Sequence, residues 1–512
     1  MADLLHELIH ESAHHAPQAD ALAYRGQCLD YSQLDEAIVS ASGLFLDCGL
    51  ARGERVAVYM EKRFETVSAM FGASHAGGVF VPVNPILKPE QVAYILKDCN
   101  VRILVTSFER LALLGDALKD CRDLHTVVAV GEGTPSSLHG IETVCWHDAS
   151  NSAASPHRVI DTDMAAILYT SGSTGRPKGV VLSHRNMMTG AKSVSRYLEN
   201  KPEDRILSVL PLSFDYGLSQ LTTAFHVGAA AVLMNYLLPG DIVKTVEKEN
   251  ITGLAAVPPL WIQLAQCEWK SSLRYFTNSG GAMPKATLDA LRARLPGARP
   301  YLMYGLTEAF RSTYLPPEEV DRRPDSIGKA IPGAEILVLR EDGSSCVPGE
   351  PGELVHRGGL VSLGYWNDPH RTAERFRPLP RREEGIVMQE MAVWSGDTVR
   401  LDEEGFLYFI GRRDEMIKTS GYRVSPTEVE EVIYETGMAG EAVALGISHP
   451  VLGQEIVVVA SPKEGKLDAE ALLSECRKRL PAYMVPSRIH VRETLPRNPN
   501  GKIDRKRLAQ EV

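Results

Sequence analysis

Apolar residues in the first third of the chain come in short continuous runs, each followed by a stretch where they recur at helical spacing. "RVAVY" (Arg55–Tyr59) predicts a buried strand and residues 65–76 a helix. "GGVFVPV" (77–83) predicts a strand, 90–97 a helix and "RILVTS" (102–107) a further strand. This alternation predicts α/β layering with crossover helices. Ser32 followed by Asp35 predicts a capping box that opens an earlier helix. "ASNSAASP" (149–156) predicts a polar loop, and "AAILYT" (165–170) a strand behind it.

The pattern changes after Gly405. "FLYFIGRRDEMIKTSGYRVSPTEVEEVIYETG" passes from a strand through a charged connector into a helix. Ser425, Pro426 and Glu428 are placed to start that helix and Gly437 to end it. The expected fold class is α/β: a large multi-layer N-terminal α/β domain (1–411), a hinge (412–414) and a small mobile C-terminal α+β domain (415–512).

Composition narrows the function. The chain has 512 residues, 44% hydrophobic and 23% charged, an ordinary globular balance. A net charge of −10 speaks against a broad nucleic-acid footprint. The eight cysteines form no CxxC pair, so neither a zinc site nor a disulfide framework is expected, and they are taken as mostly buried, reduced thiols. The start, "MADLLHELIHESAHH", lacks the basic and apolar segments of a signal peptide. No apolar run is long enough for a membrane span. The expected location is therefore cytoplasmic.

Residues 169–179, "YTSGSTGRPKG", crowd glycines, hydroxyls, an Arg and a Lys between two predicted strands. Glycines admit a ligand close to the backbone, and N–H groups, hydroxyls and Lys178 can surround phosphate oxygens. The pattern is no Walker loop, because Gly179 follows Lys178 and a strand comes next. Nor is it a dinucleotide fingerprint, since Thr174 stands where a second glycine is needed. By itself it is equally well a polar surface loop.

The loop does not stand by itself. "YTSGSTGRPKG", "LPLSFDYG", "NSGGAMP", "YGLTE", "WSGDTVR", "GRRDEMIKTSGYRVSP" and "PRNPNGKID" occur in the order found in the adenylate-forming superfamily of acyl-CoA synthetases, amino-acid adenylating enzymes and luciferases, which the chain resembles over nearly its whole length. The segment "YGLTEAFRSTYLPPEEVDRRPDSIGKAIP" resembles AMP-forming acyl-CoA ligases found beside exosortase systems. The resemblance implies a ligase. A carboxylate attacks the α-phosphate of Mg-ATP, and the thiol of CoA or of a carrier-protein phosphopantetheine then takes the acyl group. The same fold leaves open a luciferase-like oxidoreductase, a fatty acyl-CoA synthetase and a non-catalytic relative; the last should lack Lys502, Glu308 or Asp397, and all three are present.

The resemblance also implies roles. Thr170, Ser171, Gly172, Ser173, Thr174, Gly175 and Lys178 would hold the β- and γ-phosphates. Lys502 would reach the α-phosphate and the carboxylate. Ser279, Gly280, Gly281 and Ala282 would lie against adenine, with Tyr304 as a flat surface beside Gly305. Thr307 would touch phosphate, Glu308 would hold Mg²⁺, and Asp397 would accept from the ribose hydroxyls, assisted by Arg412. Asp414 matches the hinge position, Gly421 the glycine lining the thiol tunnel, and Lys418 the face presented in the second step. Each also has a plainer reading as a turn, cap or linker residue.

The substrate pocket departs from the fatty-acyl pattern. Phe214 is followed by Asp215 where many fatty-acyl and aryl members carry His, and amino-acid adenylating relatives pair such an Asp with the substrate ammonium. A buried ammonium needs a counter-charge. Equally, Asp215 is placed to cap a helix starting near Gly217. Arg311 is either a carboxylate clamp pointing inward or a surface partner of Glu318 or Glu319. Tyr216, Ser219, Thr277, Ser279 and Met303 would complete a compact, polar pocket suited to an amino acid or a small acidic acid. The basic clusters "CRKRL" and "DRKRL" suit either an acidic carrier protein or solvent.

Overall fold

The computed structural model describes residues 2–512 except 135–137, 149–153, 171–176, 271–272, 381–384, 386, 413–414, 420–421, 450–451 and 500. Most of the loop expected at 149–156 lies outside the described residues. The strand and helix expectations in the first third hold within a residue or two at each end: Arg55–Tyr59, Phe64–His75, Val79–Pro82, Pro89–Asp98 and Val101–Ser107. Among the described residues the strands form three sheets, of fourteen, eight and five strands.

The eight-stranded sheet holds the first α/β units. Arg55–Tyr59 pairs in parallel with Val79–Pro82 on one side and Val101–Ser107 on the other, as crossover helices require. The fourteen-stranded sheet is parallel where Arg205–Ser208, Gly253–Ala256, Tyr275–Asn278 and Arg299–Tyr304 lie side by side. It turns antiparallel from Arg299–Tyr304 onward. The carboxyl ends of that parallel run deliver residues 278–282 and 304–311 to one rim, the usual place for a ligand site in such sheets.

Most of the buried apolar side chains before residue 407 form one continuous core. From Ile417 onward a separate cluster packs around Val429, Ile433, Val458 and Leu472 against the five-stranded sheet. Its helix Pro426–Glu435 is pinned by Glu430, which accepts from Arg505 at 2.7 and 2.8 Å. One reach of this unit returns to the large sheets: Asn84 Nδ2 donates to the Pro499 carbonyl at 2.7 Å.

Three local expectations need correction. The early helix, Tyr31–Asp47, is capped by Asp30 with Gln33 closing the box, so Ser32 lies inside it. An ionised Asp is at least as good an acceptor for the first turn. Ser425 does occupy the N-cap position before Pro426, but its buried hydroxyl makes no cap bond, and no box forms with Glu428. All eight cysteines are free, yet only Cys99, Cys121 and Cys476 are buried. No helix among the described residues is long and apolar enough to cross a membrane.

Candidate active site

The glycine-rich motif begins and ends on paired strands. Met164–Thr170 and Lys178–Ser183 pair antiparallel, with Thr170 opposite Lys178 as the last pair. Ser171, Gly172, Ser173, Thr174 and Gly175 lie outside the described residues. Thr170 Oγ1 is buried and has no hydrogen-bond partner. Lys178 Nζ points across to "YGLTE", donating to Glu308 Oε1 at 3.0 Å and to the Tyr365 hydroxyl at 2.6 Å. Tyr365 in turn donates to Glu308 Oε1 at 2.5 Å, and its ring centroid lies 4.1 Å from Lys178 Nζ. Burial alone would raise the Glu308 pKa, but Lys178 and the Tyr365 hydrogen bond outweigh it and hold the carboxyl at about 2. Burial acts the other way on Lys178 and leaves its pKa lowered despite Glu308. Thr307 opens the short 3₁₀ turn that carries Glu308, and both are buried.

A second set forms around Asp397. The strands Met391–Leu401 and Leu407–Arg412 pair with Asp397 opposite Arg412, whose Nε lies 3.3 Å from Asp397 Oδ1. The Tyr304 hydroxyl donates to Asp397 Oδ2. Asp397 Oδ1 makes no hydrogen bond among the described residues, and Arg412 is its ion-pair partner. Burial raises the Asp397 pKa, and with Asp397 it pushes the Tyr304 phenol well up. Gly305, next to Tyr304, packs 3.2 Å from the Arg311 Cα if given a Cβ.

Lys502 lies in a bend that follows the small sheet, beside the isolated Arg497–Ile503 bridge. Its loop is tied by Asn498, whose side chain accepts from Lys502 N at 3.0 Å and whose N–H donates to the Lys502 carbonyl at 2.7 Å. The ammonium lies 5.2 Å from the Phe214 ring centroid. Its stem rests on Gly280 in the segment Ser279–Ala282. Gly280 has φ +83°, and a Cβ there would meet Lys502 Cε at 2.8 Å, so only glycine suits both the turn and the approach. Burial lowers the Lys502 pKa, and Asp215 opposes it.

The pocket residues gather beneath that ammonium. The helix Asp215–His226 starts at Asp215 itself, with Phe214 at the N-cap and no side-chain cap. The capping alternative for Asp215 therefore fails: its carboxyl is buried, and Oδ1 has no hydrogen-bond partner. Burial raises the Asp215 pKa, with Arg311 and Lys502 opposing. The surface alternative for Arg311 fails too. Arg311 is 2% exposed, Nη1 donates to Ser279 Oγ at 3.2 Å, and the guanidinium lies 4.7 Å from the Tyr216 ring centroid. Glu319 pairs with Arg323, and Glu318 lies 3.8 Å from Arg299. The Tyr216 hydroxyl is fixed on Thr277 Oγ1 at 2.5 Å. Ser219 and Met303 are buried, the latter accepting at Sδ from the Tyr197 hydroxyl at 2.9 Å.

The structure brings these sets together electrostatically. Glu308 acts on Asp215, Arg412 on both Lys178 and Lys502, and Arg375 on Glu308 and Asp397. Sequence reasoning missed Tyr365 and Arg375. Tyr365 bears only the mark of an aromatic after Gly364, 57 residues past Glu308, and Arg375 is one of several charges in the stretch 368–377. It also missed buried Lys62, which donates to the Ser208 and Leu210 carbonyls at 2.9 and 3.1 Å just before the Phe214 turn. Asp414 and Gly421 lie outside the described residues. Lys418 belongs to the short strand Ile417–Thr419, and its side chain is likewise not described.

The arrangement fits a nucleotide with its metal. An open hydroxyl at Thr170 and the buried Asp397 carboxyl accompany three cations, Lys178, Arg375 and Lys502, as a triphosphate ester requires. Among the described residues no three His, Cys, Asp or Glu side chains form a metal cage. One ionised carboxylate, Glu308, is what Mg²⁺ uses when phosphates supply its other ligands.

The chain matches the AMP-binding enzyme family over residues 9–366 and the AMP-binding enzyme C-terminal domain over residues 428–502. It is 32% identical over 505 residues to an L-proline–[L-prolyl-carrier protein] ligase of Streptomyces coelicolor, covering 94% of this chain and 92% of that protein. It is 27% identical over 542 residues to a long-chain-fatty-acid–CoA ligase of Bacillus subtilis, covering 99% and 94%. Against a linear gramicidin synthase of Brevibacillus parabrevis it is 30% identical over 508 residues; the match takes in 98% of this chain and spans only 10% of that protein. The solved o-succinylbenzoate coenzyme A synthetase (MenE) of Bacillus subtilis, in complex with ATP and magnesium ion, superposes with a TM-score of 0.82 at 26% identity and covers 98% of each chain.

Proposed function

The chain belongs to the AMP-binding, adenylate-forming enzyme family, and from that premise we propose that it is an AMP-forming acid–thiol ligase acting on an amino acid or a small polar acid. In the first step a substrate carboxylate oxygen bonds to the α-phosphorus of ATP while the bond to the bridging oxygen breaks and pyrophosphate leaves. In the second, the thiol of CoA or of a carrier-protein phosphopantetheine attacks the carbonyl and AMP leaves.

The observation that carries the reading is the placement of Lys502, from the small domain, against Phe214 and Gly280, beside buried Asp215. There it draws two anions together and neutralises charge at the attacked phosphorus, so catalysis is mainly positioning and electrostatics. Lys178 and the 170–175 loop hold the outer phosphates, Tyr304 and Asp397 the nucleoside, and Thr307 a phosphate oxygen. Glu308 would hold Mg²⁺, which offsets charge on the phosphates. Asp215 supplies the anion that a substrate ammonium requires, and this favours an amino acid over a fatty acid.

The division at 412–414, with Asp414 as hinge and Gly421 in the thiol tunnel, belongs to the same proposal. Asp414→Pro is expected to keep ATP–pyrophosphate exchange and to stop thioester formation; equal loss of both would refute domain rotation. The reading as a whole is tested by ATP-dependent AMP release with CoA and with a phosphopantetheinylated carrier over a panel of acids.

A further inference from the structure

Phe214, Asp215 and Tyr216 are consecutive, and each meets a different charge. The Lys502 ammonium lies 5.2 Å from the Phe214 ring centroid, and the Arg311 guanidinium 4.7 Å from that of Tyr216. The two ring centroids are 6.1 Å apart, with the Asp215 carboxyl between them in sequence and acted on by both cations. The same order recurs on the opposite wall. Ser279 Oγ accepts from Arg311, and the next residue, Gly280, carries the Lys502 stem. The pocket thus presents cation, anion, cation over a span of a few residues.

These charges are not spent on one another. Asp215 closes no ion pair with Arg311 or Lys502 among the described residues, and Asp215 Oδ1 and Arg311 Nε each lack a hydrogen-bond partner. Buried opposite charges that serve only the fold gain by closing into a hydrogen-bonded pair, because burial without a partner is costly. Here they are held apart. Tyr216 is fixed by Thr277, and Arg311 is aimed inward by the residue before it. Phe310 has φ +54° and is fully buried, packed on Gly190, with Arg311 N–H bonded back to the Ala309 carbonyl at 2.5 Å. Such a tight turn at a bulky residue persists where its surroundings impose it, and it concentrates at ligand clamps. Beside Arg311, Tyr197 stacks on Tyr314 with ring centroids 4.3 Å apart.

We infer that the acid is a short amino dicarboxylic acid, its reacting carboxylate under Lys502, its ammonium on Asp215 and its second carboxylate on Arg311. The inference rests on the ligase reading above and specifies the substrate of the same site. Arg311 is the specificity-determining group, since a planar guanidinium holds a carboxylate through two parallel hydrogen bonds.

ATP–pyrophosphate exchange on the full chain tests it with four sets of acids: aspartate and glutamate, succinate and glutarate, neutral amino acids of equal length, and fatty acids. Aspartate or glutamate is expected to lead in kcat/KM by about 100-fold or more over the neutral amino acids, because a site built for a hydrogen-bonded group rejects analogues lacking it. Arg311→Met should abolish that lead, and Arg311→Lys should restore part of it. Neutral amino acids, plain dicarboxylates or fatty acids leading in the wild-type chain overturns the inference and leaves the ligase reading intact. So does an Arg311→Met variant with unchanged ranking and an unchanged unfolding midpoint. Absence of exchange with every acid, together with no AMP release, removes both.

Discussion

The two ends of the candidate site treat charge in opposite ways. At the phosphate end Lys178, Glu308 and Tyr365 are closed on one another by bonds of 2.5–3.0 Å, and Asp397 is bonded by Tyr304 and flanked by Arg412. At the acid end Asp215, Arg311 and Lys502 stay apart, with polar atoms left open. A closed network is preorganised and, on the proposed reading, would exchange partners for a nucleotide; a set of separated charges selects whatever supplies the missing partners. The nucleotide is common to a whole family of reactions, whereas the acid distinguishes one from another, and the burial of uncompensated charge is concentrated where discrimination is needed.

The comparison is broken most directly at Lys502, the group that serves both ends. Lys502→Ala is expected to raise the adenylation barrier by about 3–4 kcal/mol, the scale of losing one preorganised donor to a developing charge. Thioester formation from supplied acyl-adenylate should change far less, and single-turnover assays of each half-reaction check this. Glu308→Gln isolates the closed network. It should cost about 3 kcal/mol of stability at neutral pH, since it leaves Lys178 buried without its counter-charge. The Glu308 pKa is depressed from 4.5 to about 2, so its contribution is present above about 4.5 and lost as pH falls through about 2. Denaturant titrations of the two proteins should therefore converge across that window. The smallest effect is expected from Tyr365→Phe, which removes one donor to Glu308 and one acceptor from Lys178. A cost of about 1 kcal/mol, a several-fold rise in KM for ATP with kcat nearly kept, sharpens the distinction between a network that positions and a charge that reacts.

What was legible in the sequence follows the same division. Strands such as Arg55–Tyr59 and Val101–Ser107 were visible because continuous β-branched runs have few other uses, and their parallel pairing followed from the helices between them. The strands on either side of the glycine-rich motif were visible from their apolar runs, the second of them as a strand and not a helix after Lys178. Asp215 and Arg311 were visible as residue types but not as neighbours: whether a lone Asp caps a helix and a lone Arg faces solvent depends on packing that no local pattern encodes. Tyr365 and Arg375 were missed for that reason, as was the use of Asp30 rather than Ser32 at the first cap. Each is fixed by a partner elsewhere in the chain, or by one residue's shift in where a helix begins.

The bond from Asn84 to the Pro499 carbonyl spans 415 positions and anchors the loop that delivers Lys502. A neutral hydrogen bond of this kind is worth about 1 kcal/mol net in water. Under the domain rotation proposed above, such a fastening would bias the equilibrium between seated and withdrawn lysine by only a few-fold. On the proposed rotation, which arrangement prevails would be decided by whatever occupies the cleft, so the stroke would be timed by its cargo and not by its own joints.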